Sequence, residues 1–129
     1  MPLKFPIIVE EHGDVGVYAN VEAAEAAVEA IDVRNNEFKF YDANGLVLRA
    51  EVRNDARPGG RLRRLLAPSP EQVKLSVPEV EDRRPNELSE ILRGFLSRAG
   101  SARAGIPDAE LAATPLLKLV DATTRLLAP

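Results

Sequence analysis

The chain has 129 residues, 45% of them hydrophobic and 29% charged, with no cysteine and a formal net charge of −3. That length fits one domain with a substantial core, and the composition excludes wholesale disorder. The missing thiols exclude disulfides and cysteine-based metal or nucleophile sites.

Charge is unevenly spread. Residues 1–55 hold 11 acidic and 5 basic residues (net −6), residues 56–98 hold 6 and 9 (net +3), and residues 99–129 hold 3 of each. An acidic first half and a basic middle bias electrostatic association. The opening MPLKFPIIVEEHG has an apolar run too short for a signal-peptide core or a membrane span. The expected location is therefore cytoplasmic, without membrane contact. Arginine outnumbers lysine 13 to 4, a codon bias typical of GC-rich bacterial genomes. No internal repeat is visible, and residues 1–129 read as a single domain.

In chain order, Ile7–Val9 predicts a strand, His12-Gly13-Asp14 a turn, and Val15, Val17 and Ala19 a second strand, so 7–19 reads as a hairpin. Asn20 is a helix N-cap. The following VEAAEAAVEAI is helix-forming, with Val21, Ala24, Val28 and Ile31 on one narrow face that suits close packing on a sheet. EFKFYDANGLVLRAEV predicts a β-hairpin. Phe38 and Phe40 flank Lys39, and Leu46, Leu48, Ala50 and Val52 alternate with Val47, Arg49 and Glu51. Asp42 suits the first position of a type I turn, and Asn44-Gly45 tolerate positive φ.

Residues 54–70 form a Pro/Gly/Arg-rich loop, expected to be mobile. Val73, Leu75 and Val77 then predict a fifth strand over 72–77. After Asn86, the spacing of Leu88, Ile91, Leu92, Phe95 and Leu96 predicts an amphipathic helix closed by Gly100. Residues 99–106 read as a flexible joint. Pro107 opens a short helix to about Ala113. Thr114 caps the next, with Pro115 at its first position and Leu116, Leu117, Val120 and Leu127 as its apolar stripe. The expected class is α+β: an antiparallel sheet of four to five strands, one early helix packed on it, and two to three C-terminal helices.

Few residues suggest chemistry. Gly59-Gly60 precede Arg61, Arg63 and Arg64, without the Lys-Ser/Thr pair of a phosphate loop or the three spaced glycines of a dinucleotide fingerprint. His12 stands alone beside Glu10, Glu11 and Asp14, too few ligands for a metal. Glu10-Glu11 and Glu79-Glu81-Asp82 offer carboxylates without a catalytic pattern. Asp42 and Asn44 lack the closing glutamate of a calcium loop, and no serine lies in a nucleophile elbow. No catalytic residue, cofactor or metal is expected. Arg57, Arg61, Arg63 and Arg64 remain as candidate anion or partner contacts. Leu65, Leu66, Leu119 and Leu126 remain as a candidate apolar partner surface.

The helix-then-hairpin stretch VEAAEAAVEAIDVRNNEFKFYDANGLVL, the small size and the absence of cysteine and catalytic motifs give a layout that resembles bacterial immunity proteins. These are small α+β proteins encoded beside secreted toxins. The resemblance implies a binding protein that blocks a partner's active site, and no residue is carried over from it. The arginine-rich middle departs from the acidic surfaces expected of nuclease inhibitors. The leading expectation is thus a non-enzymatic protein-interaction module, with another protein as partner and self-association as a variant of it. One alternative is a small-anion-binding or hydrolytic enzyme using Arg57, Arg61 or Arg64. The other is a nucleic-acid accessory protein using the Arg57–Arg64 stretch, disfavoured because no aromatic is near for stacking.

Overall fold

Three consecutive apolar residues in a strand require cover on both faces of the sheet. Ile7, Ile8 and Val9 show this directly. Ile7 and Val9 enter one core and Ile8 another, and all three are buried. The computed structural model describes residues 3–28, 33, 37–54 and 71–128. Strands β1 (Ile7–Glu11), β2 (Asp14–Tyr18), β3 (Phe38–Tyr41), β4 (Val47–Asn54) and β5 (Glu71–Ser76) form one sheet in the order β2-β1-β3-β4-β5. Every pairing is antiparallel; β2 and β3 flank β1 and run parallel to each other, with α1 in the connection between them. The chain is α+β, as its sequence implies.

Helix α1 (Val21–Ala27) begins where expected: the Asn20 side chain accepts from the Ala23 N–H at 2.8 Å. It ends at Ala27, and Val28 is already extended; Ile31 lies outside the described residues. Ala24 is buried against Ile7, Val9, Phe40 and Leu48, with Val21 and Val28 half-buried around it. A helix with an alanine at its contact lies close to the sheet, as its small-residue face predicts.

The β3–β4 hairpin closes through Asp42, which is only 2% exposed. Its carboxylate accepts from the N–H groups of Asn44 and Leu46 at 2.9 Å each and from Lys4 at 3.1 Å. A carboxylate holding three backbone donors offsets the cost of its burial.

On the opposite face lie α2 (Pro85–Ala99) and α3 (Leu116–Leu127). Pro85 occupies the first turn of α2, so Asn86 lies inside the helix rather than at its start. Leu88, Leu92 and Leu96 pack with Ile8, Val15 and Tyr41. Gly100, at φ 98°, ends the helix and donates its N–H to the Leu96 carbonyl. Residues 99–106, read as a flexible joint, contribute to the core instead. Ser101–Ala104 form a 3₁₀ turn, Ser101, Ala104 and Ile106 are buried, and the Ser101 hydroxyl donates to Asp108 at 2.6 Å. Asp108–Ala113 form a second 3₁₀ turn. Thr114 does not cap α3. Its hydroxyl donates back to the Glu110 carbonyl at 2.8 Å, and Pro115 flanks the helix start. The Arg93 guanidinium binds the Leu111 and Thr114 carbonyls and holds this corner onto α2.

Helix α3 corrects the expected partner surface. Leu119 is 0% exposed and Leu126 packs against the same core, whereas Leu117 is 60% exposed and Leu127 is also exposed. The buried stripe runs through Leu119, Val120 and Thr123. Thr123 hides its hydroxyl by donating to the Leu119 carbonyl at 2.7 Å, which leaves its methyl for the core. That local bond rotates the apolar face away from the phase set by counting leucines alone.

Candidate functional site

Among the described residues, helices α2 and α3 cover β2, β1, β3 and the first residue of β4, Val47, but not the rest of β4 or β5. The odd-numbered residues of β4 share the face of Val47, which touches the α2–α3 core. Arg49, Glu51 and Arg53 therefore follow it outward, with Ser76, Lys74 and Gln72 as their register partners on β5. All but the half-buried Glu51 are exposed, Arg49 and Arg53 by 69% and 65% of their side chains. Glu51 lies between the two arginines, 3.9 Å from Arg49 and 3.5 Å from Arg53. Three cations thus stand against one carboxylate on this face. It carries no aromatic residue among the described ones.

The other face of the same ribbon is apolar. Leu48, Ala50, Val73 and Leu75 turn towards α1. The outer edge of β5 is closed at one point, where the Leu75 N–H donates to a Glu25 carboxylate oxygen at 2.6 Å. β5 is the last strand of the described sheet, and a charged side chain at such an edge discourages pairing with another chain.

Strands β3 and β4 pair only at Phe40–Leu48 and Tyr41–Val47. Beyond that, β3 stays with β1 and β4 with β5, and the sheet forks. Two-stranded ribbons twist more than wide sheets, which separates the arms. The fork holds a cavity of about 490 Å³. Lys39, Arg49 and Arg84 line its polar side. Phe38, Phe40, Leu48 and Ala50, which belong to the opposite face of the sheet, line the rest with Val33.

At the base of the fork the Tyr41 hydroxyl donates to Glu87 at 2.6 Å. Burial, and then the neighbouring Glu87 carboxylate, push the phenol pKa well above its ordinary value, so Tyr41 stays protonated. Arg84 donates to Asp82 at 2.9 Å and lies 3.7 Å from Glu87. The hydrogen bond to Asp82 raises its pKa further, which fixes it as a cation. The cluster thus presents a neutral phenol that donates to Glu87 and a fixed guanidinium cation.

Arg57, Arg61, Arg63, Arg64, Leu65 and Leu66 lie outside the described residues. Asn54 and Glu71 are register partners, so the chain segment carrying those six starts and ends at the tip of the β4–β5 ribbon. His12 has φ 50° in the β1–β2 turn and lies 3.7 Å from Glu37 at an exposed position. Among the described residues no group of three or more His, Cys, Asp or Glu converges on a metal position. No described helix is long and apolar enough to cross a membrane.

The residues of the β4–β5 face and of the fork escaped sequence reading because each is an ordinary charge on an alternating strand. Only register sets them side by side. The polar phase of β4 (Arg49, Glu51, Arg53) was the available signal. No family model matches the chain, and no curated protein or solved structure does.

Proposed function

We propose that the chain is a non-enzymatic protein-interaction module, of the kind that neutralises a partner protein. The observation that supports this reading is the uncovered face of β4 and β5, with Arg49, Arg53 and Lys74 around Glu51. Most exposed faces carry mixed charges, but this one lies on regular strands and is rich in cations. Rigid strands place charges with little entropy lost on docking. A partner with an acidic patch complements it, and such complementarity sets association rate and specificity. A polynucleotide is the weaker match, because Glu51 sits in the middle of the face and no aromatic on it offers a base a stacking platform.

The test is a charge-reversed triple variant, Arg49→Glu, Arg53→Glu and Lys74→Glu, purified beside the wild type from the producing cells at low salt. The expected result is one stoichiometric protein with the wild type and its loss with the variant, at equal helix content. A partner retained equally by both, or a wild type that emerges alone, would overturn this reading.

A further inference from the structure

We infer that the fork between β3 and β4 is a binding site for a small amphipathic anion, a carboxylate with an apolar tail. The inference shares only Arg49 with the docking face and otherwise rests on the cavity and on Lys39 of β3.

Three observations carry it. The first is size. At about 30 Å³ per water-sized group, 490 Å³ accepts roughly 16 non-hydrogen atoms. That lies within the ordinary range of small-ligand sites.

The second is polarity. Because the strands part, the cavity passes from one face of the sheet towards the other. Its charged side carries Lys39, Arg49 and Arg84 with Asp82 and Glu87, and its apolar side is the half-buried Phe38, Ala50 and Val33, with Phe40 and Leu48 already buried in the adjoining core. Phe38, half-buried, is the ring left with surface to offer; Phe40, 5.9 Å from it ring centre to ring centre, is already buried. A ligand matched to this gradient has a polar head and an apolar tail.

The third is the sign of the head. Both carboxylates at the mouth are engaged, Glu87 by the Tyr41 hydroxyl and Asp82 by Arg84. The cations are less occupied. Lys39 makes no ion pair among the described residues, although Glu10 is its register partner on β1, and Arg49 reaches Glu51 only at 3.9 Å. The spare hydrogen-bonding capacity at the mouth is therefore donor capacity. Three cations stand against two carboxylates among the cavity's lining residues, so a carboxylate head completes the set where an ammonium head adds to the excess.

Calorimetric titration of the full chain with decanoate, below its micelle concentration, tests the site. Decanoate should bind one to one. Butyrate should bind at least tenfold more weakly, because it leaves the apolar side at Phe38 uncovered. Decyltrimethylammonium, the same tail with a cationic head, should not bind. Lys39→Glu should weaken decanoate tenfold or more, whereas Arg53→Glu, on the same exposed face but outside the cavity, should leave it unchanged. Lys39 is exposed, so the variant is expected to keep the wild-type melting profile. Absence of decanoate binding to the wild type, equal binding by Lys39→Glu, or equal binding of the cationic amphiphile would each overturn the inference.

Discussion

The Tyr41 hydroxyl and the Glu87 carboxylate meet at 2.6 Å and join β3 to the first turn of α2 across 46 positions of sequence. The contact fastens the forked part of the sheet to the helical layer. Tyr41→Phe keeps the ring and removes the bond. Glu87 is half-buried and has Arg84 nearby, so the expected loss is about 1–2 kcal/mol. The same bond has a pH signature. The folded-state pKa of Tyr41 lies above the unfolded value of about 10. The protonated phenol is therefore favoured in the fold: its contribution is complete below pH ~10 and is lost as pH rises beyond that. Thermal melts from pH 8 to 11.5 should show the wild type losing stability above pH ~10 and Tyr41→Phe losing less. In a Tyr18→Phe background, absorbance at 295 nm should report Tyr41 alone, with a midpoint above the ordinary phenol value. An ordinary midpoint would contradict the burial of this hydroxyl.

Gly45 closes the β3–β4 hairpin at φ 84° against the start of α2. A Cβ placed there would stand 2.6 Å from the Pro85 Cα, and backbone cannot move aside as a side-chain tip can. Gly45→Ala combines left-handed strain with that overlap and should cost about 3 kcal/mol or more. Asn44→Ala, one residue earlier and exposed, should stay within about 0.5 kcal/mol. Denaturant unfolding of both variants checks the contrast; similar midpoints would mean that the turn does not rest on Pro85.

Leu119 and Leu117 are two residues apart on α3, and one is fully buried while the other is 60% exposed. Leu119→Ala should destabilise by about 2–5 kcal/mol through lost burial and the cavity left behind. Leu117→Ala should be neutral within about 0.5 kcal/mol. If the order were reversed in chemical denaturation, α3 would have to be rotated on the sheet.

Glu25 protects the edge of β5 by accepting the Leu75 N–H. Glu25→Ala leaves that donor without its acceptor and opens a stretch of strand edge. The expected cost is about 1 kcal/mol, together with concentration-dependent self-association visible by analytical ultracentrifugation. An equally monomeric variant would show that the edge is guarded by something other than this carboxylate.

The sequence by itself determined the local structure. Period-two alternation marked β3 and β4, Asn20 marked the start of α1, Asp42 and Gly45 marked the turn, and the 3,4 spacing from Leu88 to Leu96 marked α2. Each of these rests on backbone periodicity or on hydrogen bonds between residues a few positions apart, which the order of residues encodes directly. Tertiary structure alone decided the rest. The α3 face depends on Thr123 folding its hydroxyl back onto Leu119, which makes a polar residue behave as an apolar one. Residues 99–106 look like a linker because SARAG is small and bounded by glycines, yet a hydrogen bond to Asp108 lets Ser101 sit in the core. Arg49, Arg53, Lys74, Lys39 and Tyr41 become a face and a fork only once strand register sets them side by side. That register follows from burying Ile7, Ile8, Val9, Phe40 and Leu48 on their proper sides, a condition imposed by the whole sheet rather than by any one segment.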